Sequence, residues 1–325
     1  MLPRVTTPWR EAWHQALYGP GGAYRSPAGP AGHFTTATHG PLGAVLAEAL
    51  VLLADREGAD HVVDVGAGRG ELLTAIHDVR PDLRLTGLDI VDRPEGLAPG
   101  VTWLVSPGGP ALPAGLKDLD DVLVVAHEWL DVVPCTIAEV VAPGRLATVL
   151  VDPATGEESL GPEPDAADLA WCARHWPVDD LPAGSRVEVG RARDAAWSDV
   201  VGRVRRGTVL AVDYGHTSED RPLEGTLVGY REGALVVPVP DGSTDVTAHV
   251  AVDSLEADEV MTQREALHRL GLHAGPPPHA LARTDPAGYL AGLARSSAVA
   301  ALTDPGGLGA FAWVLRRVPS RSTRM

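Results

Sequence analysis

Three glycines and two carboxylates that follow short apolar runs are the first residues whose types and spacing indicate chemistry. Gly66, Gly68 and Gly70 form a G-x-G-x-G loop in the stretch VVDVGAGRGELL, with Asp64 two residues before the first glycine. The apolar run before the loop predicts a strand, and the residues after it predict a helix. Glycine is needed in such a turn because a Cβ would hold the backbone away from a bound nucleoside. Asp89 ends the next apolar run, where its carboxylate can accept hydrogen bonds from both ribose hydroxyls.

The spacing of this glycine loop favours one cofactor class over another. A dinucleotide fingerprint has the spacing G-x-G-x-x-G, which requires a glycine at position 71, and the sequence has Glu71 there. A glutamate that faces a pyrophosphate has the wrong charge. Carboxylates around a loop without a phosphate partner instead suit S-adenosylmethionine, which is cationic. From the residues alone, a dinucleotide site and a turn with a purely structural role stay open as alternatives.

A second pair of carboxylates follows the fourth predicted strand, in the stretch VVAHEWLDVVP. Ligands of open α/β sheets bind beyond the carboxyl ends of the strands, so Glu128 and Asp131 are expected next to the transferable methyl group. A structural interpretation is equally compatible with the spacing, because carboxylates after a strand often cap the next helix, as Asp131 could do ahead of Pro134.

The periodicity of the apolar residues predicts the elements that position these groups. The predicted helices cover residues 42–54, 71–79, 165–175, 191–204 and 263–270, and the predicted strands cover residues 61–65, 83–88, 101–105, 121–126, 186–189, 208–212 and 311–315. Two strand-like runs between residues 135 and 152 flank APGR and predict a hairpin, and residues 8–39 predict a helix followed by a loop arm. Strands that alternate with helices indicate a doubly wound, mostly parallel α/β sheet.

Composition and charge restrict the partners and the compartment. The chain has 325 residues, 45% of them apolar, which supports one large α/β domain with insertions or two modest domains. A formal charge of −16 with a single lysine, Lys117, argues against nucleic acid and favours a basic peptide or protein as partner. Two cysteines, Cys135 and Cys172, suit a reducing compartment. No signal region and no membrane-spanning run is recognisable, so the expected location is the cytoplasm, with no membrane contact.

The second carboxylate stretch also resembles a family motif. HEWLDVVP, at residues 127–134, is similar to the pattern N-E-x-x-D-A-x-P of the MidA (DUF185) family of S-adenosylmethionine-dependent methyltransferases. Further matches occur in the family's order: GHFTTATH at 32–39, RVEVG at 186–190, VDYG at 212–215, EGTLVGY at 224–230, DVTAHV at 245–250, TQREALHRLGL at 262–272 and GLGAF at 307–311. The resemblance covers roughly residues 15 to 316.

This resemblance implies a fold and a division of the chain. The implied fold is a doubly wound, mostly parallel, seven-stranded class I methyltransferase core of the Rossmann-like type, with an inserted α+β substrate subdomain. The implied segments are an N-terminal helix and loop arm over the active site (1–41), an S-adenosylmethionine-binding core (42–134), an inserted hairpin and helical substrate-side segment (135–207), and the remainder of the sheet with C-terminal substrate-side elements (208–325). For a mitochondrial member of the family, the resemblance also implies symmetric dimethylation of an arginine in a partner protein.

The site residues implied by the resemblance fall into three groups. The cofactor-binding positions match Asp64, Gly66, Gly68, Gly70 and Asp89, where Asp64 replaces a glutamate of the same charge. The expected catalytic residues are His127, Glu128 and Asp131. The expected residues lining the substrate or active site are His33, Phe34, Thr36, His39, Asp213, Tyr214 and His249. For His249 a catalytic role is considered, but a hydrogen-bonded structural histidine is the favoured interpretation.

Three positions depart from the family pattern, and all three are histidine. His33 and His39 stand where the family has acidic residues, and His127 stands where it has asparagine. If the three cluster, their charge would change between about pH 5 and 8, and activity or cofactor affinity should rise with pH across that window. A metal site is a weaker alternative, and no metal is expected. The loss of two carboxylates weakens the case for an arginine substrate more than the case for methyl transfer.

The expected reaction is an in-line displacement in which the protein positions the nucleophile. A guanidinium has a pKa above about 12, so Glu128 and Asp131 would hold it through charge-assisted hydrogen bonds. The expected partner is a protein substrate with an exposed basic segment, and a homodimer is one expectation for the quaternary structure. The alternatives are methylation of another nitrogen or oxygen nucleophile, including that of a small molecule, and a non-catalytic assembly factor that binds the cofactor without turnover.

Overall fold

The structure is a computed structural model that describes residues 6–25 and 37–320. Within these ranges the helices are α1 (Trp9–Tyr18), α2 (Gly40–Glu57), α3 (Glu71–Val79), α4 (Ala166–His175), α5 (Arg191–Gly202), α6 (Gln263–Arg269), α7 (Leu281–Thr284) and α8 (Pro286–Leu302). The strands are β1 (Thr7–Pro8), β2 (His61–Val65), β3 (Arg84–Asp89), β4 (Thr102–Val105), β5 (Val122–His127), β6 (Thr136–Ala142), β7 (Arg145–Val151), β8 (Glu158–Leu160), β9 (Arg186–Val189), β10 (Gly207–Asp213), β11 (Gly215–His216), β12 (Val228–Arg231), β13 (Ala234–Val236), β14 (Asp245–Thr247), β15 (Val250–Ala251), β16 (Glu259–Thr262) and β17 (Ala312–Val318).

Seven strands form the central sheet, in the order β16-β17-β10-β5-β2-β3-β4. The five strands from β10 to β4 pair in parallel, and β17 runs antiparallel to both β10 and β16. From β2 the chain moves outward through β3 to β4 and then returns to the other side of β2 as β5. The strand order therefore reverses between β2 and β5, and at such a point the loops after neighbouring strands diverge and leave a crevice. The predicted α/β class is confirmed.

The central strands are buried because helices cover both faces of the sheet. All six residues of β5 (VLVVAH) are buried, as expected for a parallel strand inside a two-sided sheet. Its side chains alternate between two apolar clusters, with Leu123 and Val125 on the side of α2, α3, α6 and α8, and Val124 on the side of α5. The carboxyl end of this strand is therefore held rigidly where the polar residues begin.

A second, antiparallel sheet is inserted between β5 and β10. It has the order β1-β7-β6-β9, with β8 paired to β7, and α4 packs on β9. Strand β1 brings the start of the described chain into this inserted sheet, where Thr7 lies opposite Val151. Two smaller sheets, β11-β15 and β13-β12-β14, follow β10. The boundaries of the four predicted segments stay predictions.

Most of the predicted elements occur within a few residues of their predicted bounds. The helix at 71–79 and the strands at 61–65 and 186–189 have the predicted limits. Helix α8 was not predicted. Its buried residues are confined to its last five positions, so most of the helix has no buried stripe. The strands β12, β13, β14 and β16 were not predicted either. None of the described helices combines the length and the apolar character needed to cross a membrane.

Gly207 begins β10 at a position that has no room for a side chain. Its φ is +145°, and an added Cβ would lie 2.2 Å from the carbonyl oxygen of Val122 in the neighbouring strand β5. We expect Gly207→Ala to reduce the free energy of unfolding by about 1–3 kcal/mol, because β10 must move away from β5.

Gly202→Ala is the matched control, since no atom lies within 4 Å of its added Cβ and its backbone is helical. It should leave the stability unchanged or raise it by about 0.5–1 kcal/mol. Urea unfolding followed by circular dichroism measures both variants, and equal midpoints would contradict the prediction.

Candidate active site

A cleft opens at the carboxyl ends of β2, β3 and β5, at the point where the strand order reverses. Its cavity volume is about 130 Å³. The loops after the three strands and the N-terminal part of the chain both contribute to its wall. The lining residues that matter for the chemistry are Tyr18, Tyr24, His39, Asp64, Gly66, Gly68, Asp89, His127, Glu128, Trp129 and Asp131.

The glycine loop between β2 and α3 has a left-handed backbone at all three glycines. The φ angles are +74° at Gly66, +57° at Gly68 and +79° at Gly70. An added Cβ would lie 3.0 Å from Trp129 Cδ1 at Gly66 and 2.5 Å from Leu97 Cδ2 at Gly70, whereas at Gly68 it would meet no atom closer than 3.6 Å. Gly66 and Gly70 are therefore required by packing, and Gly68 leaves backbone open to a ligand.

Two buried carboxylates flank this loop. Asp89, at the end of β3, accepts hydrogen bonds from the N–H groups of Gly68 (2.9 Å) and Val91 (3.3 Å). Burial raises the pKa of Asp89 to about 6. Burial also raises the pKa of Asp64 to about 7, with Asp89 and Glu71 adding repulsion. Asp64 lines the cleft without a hydrogen bond from the described residues, so its carboxylate is available to a cation.

Glu128 follows β5 in a conformation that is uncommon for a residue with a side chain. Its φ is +49°, and its N–H donates to the carbonyl of Val212 at 2.8 Å. A left-handed residue other than glycine costs conformational energy and is often found at functional sites. The carboxylate accepts a hydrogen bond from the N–H of Ala37, but Oε1 is buried without a partner among the described residues. Burial, together with Asp131 and Asp245, raises the pKa of Glu128 to about 8.

Asp131 lies three residues further on, and a tyrosine hydroxyl bonds to its carboxylate. The Tyr214 hydroxyl donates to its Oδ2 and lies 2.8 Å from Thr247 Oγ1. Its Oδ1 is buried and has no hydrogen-bond partner in the described ranges. Burial raises the pKa of Asp131 to about 6, although the Tyr214 hydrogen bond and the charge of Arg193 oppose this shift.

A third carboxylate, Asp245 of β14, adjoins this pair. Its Oδ1 accepts a hydrogen bond from the Tyr24 hydroxyl at 2.8 Å, and its Oδ2 is buried without a partner among residues 6–25 and 37–320. Burial raises its pKa to about 8, and Asp131 adds to the shift. Asp245 is not part of the described cleft wall, and it contacts the cleft through Tyr24, which lines it. The stretch DVTAHV includes Asp245, but the contact with Tyr24 has no signal in the sequence because the two residues are far apart in the chain.

Two further buried residues hold the loop that carries Glu128 and Asp131. The Asp213 carboxylate accepts hydrogen bonds from the N–H groups of Leu130 (3.0 Å) and Asp131 (3.2 Å). Arg193 is 1% exposed and donates to the carbonyls of Asp131 (2.9 Å), Val133 (3.2 Å) and His249 (2.6 Å). Sequence reasoning missed Arg193, because nothing in RVEVGRARDA distinguishes a buried arginine from an exposed one.

Three residues expected to line the site are absent from the described wall of this cleft. Asp213 and Tyr214 contact the site through the loop after β5 and through Asp131. The ring centroid of His249 lies 5.1 Å from that of Tyr214, and its backbone N–H donates to Thr226 Oγ1. Tyr214 and His249 are partly exposed, and the role of all three residues in lining the active site stays a prediction.

The three predicted histidines meet different outcomes. His33, Phe34 and Thr36 lie outside the described residues. His39 precedes α2, with Nε2 3.4 Å from Glu71 Oε1, and it lines the cleft. His127 ends β5, with Nδ1 3.4 Å from Glu128 Oε1, and it also lines the cleft.

Burial lowers the pKa of His127 to about 4. His127 thus stays neutral between about pH 5 and 8, because burial favours the uncharged imidazole. The pH dependence expected for a cluster of the three histidines stays a prediction, since His33 lies outside the described residues. The part of the chain that the structure describes contains no group of histidine, cysteine and acidic side chains that could hold a metal ion.

The sheet order, the glycine loop and the cleft together define an α/β fold with a nucleoside-type binding site. A similar fold occurs in a COG1565 superfamily member from Burkholderia thailandensis bound to S-adenosylhomocysteine, with a TM-score of 0.75, 23% identity, and coverage of 98% of this chain and 89% of that chain. A native structure of a COG1565 superfamily protein from the same organism gives a TM-score of 0.75, 23% identity, and coverage of 98% and 88%. No protein with a curated function matches this sequence.

Residues 93–272 match the family described as "Putative S-adenosyl-L-methionine-dependent methyltransferase". This match covers more than half of the chain, and the chain belongs to this family. Its cofactor is S-adenosylmethionine. The site fits that molecule, because Gly68 allows close approach of the backbone, Asp89 can accept from ribose hydroxyls and Asp64 can receive the ammonium group.

The affinity for S-adenosylmethionine should depend on the ionisation of Asp64. The carboxylate attracts a cation only when deprotonated, and its pKa is raised to about 7. We therefore expect calorimetric titrations of the wild type to show tighter binding as the pH rises from about 5.5 to 7.5.

Asp64→Asn should bind about tenfold more weakly at the upper end of this range and lose most of the pH dependence, as expected when a charge-assisted hydrogen bond is lost. Asp82→Asn, at an exposed position before β3, is the control and should match the wild type. Equal affinity of the wild type at both ends of the range would count against a cationic contact at Asp64.

Proposed function

We propose that this protein transfers a methyl group from S-adenosylmethionine to an arginine side chain of a partner protein. In this proposal the central sheet is the seven-stranded core of a class I methyltransferase, and the inserted sheet with the strands after β10 forms the substrate side. The resemblance of HEWLDVVP to the MidA (DUF185) motif supports the proposal, since that motif contributes Glu128 and Asp131.

The observation that carries the proposal is a set of three buried carboxylate oxygens. Glu128 Oε1, Asp131 Oδ1 and Asp245 Oδ2 each have no hydrogen-bond partner within the described residues. A buried acceptor left unsatisfied costs about 1–3 kcal/mol, so a ligand that brings several N–H donors would be strongly stabilised. A guanidinium has five such donors in a planar fork, whereas a lysine ammonium presents three from one point.

The pKa values of these carboxylates agree with a cationic substrate. Burial and mutual repulsion raise the pKa of Glu128 and of Asp245 to about 8 each. Near neutral pH the acids therefore hold protons until an opposite charge arrives, and a guanidinium within hydrogen-bond distance would lower both pKa values. Binding of the substrate and ionisation of the site are coupled, which favours a permanently charged ligand.

Methyl transfer then depends mainly on positioning by the chain's own residues. When bound, S-adenosylmethionine supplies a methyl group that its sulfonium already activates. Glu128 and Asp131 would fix the plane of the guanidinium so that one nitrogen faces the methyl-binding part of the cleft. That nitrogen must release a proton as its new bond to carbon forms, and we assign Glu128 as the acceptor because its carboxylate, ionised once the guanidinium is bound, would already be hydrogen-bonded to the substrate.

Asp245 offsets the acids that are missing at positions 33 and 39. Histidine at positions 33 and 39 removes two acids that the family pattern has in this region, which argues against a guanidinium. Asp245 contributes a third buried carboxylate beside Asp131, so the described site keeps enough acceptors to surround a guanidinium. The formal charge of −16 further favours a partner with a basic segment.

Glu128→Gln tests the proposed role directly, since it preserves size and removes the charge. Losing one partner of a desolvated charge pair costs about 2–5 kcal/mol, so turnover should fall well over tenfold. The affinity for S-adenosylmethionine should stay nearly unchanged. The control is Glu219→Gln, which alters an exposed glutamate outside the cleft and should keep wild-type turnover.

The product is identified with radiolabelled S-adenosylmethionine and protein extract from the cells that produce this chain, followed by mass spectrometry of the labelled band. A methyl group on arginine supports the proposal. A methyl group on another nitrogen or on oxygen, with Glu128→Gln fully active, would refute the arginine substrate. Tight cofactor binding without release of S-adenosylhomocysteine would instead identify a non-catalytic assembly factor.

A further inference from the structure

One face of the small sheet β13-β12-β14 carries a row of side chains that runs from a buried acid to the protein surface. Leu235, Tyr230 and Asp245 lie opposite one another across its three strands. Residues directly opposite in antiparallel strands project from the same face, so these side chains form one continuous row. Val228 and Thr247 form the next row on that face.

The opposite face of the same sheet packs into the protein. It carries Val246, which is fully buried in an apolar cluster with Trp9 and Trp13. Because side chains alternate between the two faces of a strand, the row of Asp245, Tyr230 and Leu235 points away from this cluster. At its inner end this face lies next to the residues behind the cleft. Asp245 accepts a hydrogen bond from the hydroxyl of Tyr24, which lines the cleft, and Thr247 contacts Tyr214, the residue that bonds to Asp131.

The row becomes more exposed with distance from the cleft. Asp245 is 0% exposed, Tyr230 is half-buried and Leu235 is 65% exposed, while Val237, directly after β13, is 81% exposed. Burial and the charges of Asp131, Glu128 and Asp245 raise the pKa of Tyr230. The outer end of the row is therefore apolar and open to solvent, and the inner end is acidic and closed.

We propose that this row face, defined by Asp245, Tyr230, Leu235 and Val237, binds the segment of the substrate protein that carries the methylated arginine. An apolar side chain next to the arginine packs on Leu235 and Val237, and the arginine extends past Tyr230 towards Asp245. The inference rests on the proposed function and adds a sequence preference to it, namely an apolar residue beside the target arginine.

Charge and distance both favour this occupant. Neighbouring strands lie about 4.8 Å apart, so the row spans about 10 Å from β14 to β13. A long unbranched side chain is needed to reach the buried acid from a backbone that lies over the exposed end. Single exposed apolar residues are common on protein surfaces, but here two of them lie on the same face as a buried acid next to Asp131, and this combination complements a segment that is both apolar and basic.

The test compares two synthetic peptides that differ only beside a single central arginine, with leucine on both sides in one and serine in the other. KM and kcat are measured from release of S-adenosylhomocysteine, and mass spectrometry locates the methyl group. With the wild type, the leucine peptide should have a KM about tenfold lower than the serine peptide, with similar kcat.

The double variant L235S/V237S should raise the KM of the leucine peptide to that of the serine peptide and leave kcat unchanged. Both positions are exposed, so folding is unaffected. The matched control is V260S/L290S, which changes two other exposed apolar residues outside the row face and should behave like the wild type.

Three results overturn the inference, and they differ in what they leave standing. Methylation of arginine in both peptides at the same KM, unchanged in L235S/V237S, removes the row face as docking surface and leaves the proposed function intact. No methyl group on arginine in either peptide removes the proposed function and the inference with it. A wild-type dimer that L235S/V237S converts into a monomer, as seen by size-exclusion chromatography with light scattering, assigns the row face to a second copy of the chain.

Discussion

Five carboxylates are buried around one cleft, and the loops and strands that surround it hold these groups away from water. Asp64, Asp89, Glu128, Asp131 and Asp245 are removed from water, and burial raises the pKa of each. Burying a charge without a partner is expensive. The raised pKa values reduce this cost, because Glu128 and Asp245, with pKa values of about 8, are mostly protonated and uncharged near neutral pH until a cation binds.

The neighbouring cation does not neutralise this cluster by direct pairing. Arg193 is buried behind the loop after β5, but its hydrogen bonds go to the carbonyls of Asp131, Val133 and His249. It therefore holds the backbone in position and does not occupy Asp131 Oδ1 or Glu128 Oε1. Asp213 has the complementary role, since its carboxylate receives the N–H groups of the same loop. Both the N–H groups and the carbonyl groups of this loop are hydrogen-bonded before any ligand binds. Catalysis by positioning needs such preorganisation.

Distant parts of the chain close the acidic site. Tyr24 bonds to Asp245, and the N–H of Ala37 bonds to Glu128, so both described ends of the N-terminal part of the chain contact the carboxylates. The sheet β13-β12-β14 brings Asp245 from a position more than one hundred residues after Glu128. The cleft that binds the cofactor and the face proposed for the substrate thus meet at the same acids, which suits a reaction between two bound molecules.

The sequence by itself determined the local features of this protein. Apolar runs specified β2, β5 and β10, because a strand covered on both faces needs uninterrupted apolar residues. The G-x-G-x-G spacing specified a left-handed turn, because residues with a Cβ adopt that backbone poorly.

The tertiary structure alone decided which carboxylates face the cleft and what environment each one has. Asp213 and Asp131 are both acids beside strand ends in the sequence, yet one binds backbone N–H groups below the cleft and the other keeps an open oxygen within it. The same holds for His127. Burial lowers its pKa to about 4, and no local sequence pattern encodes that burial. Helix α8 and the contacts of Asp245 could not be predicted from the sequence, because packing and strand pairing between distant segments have no short-range signal.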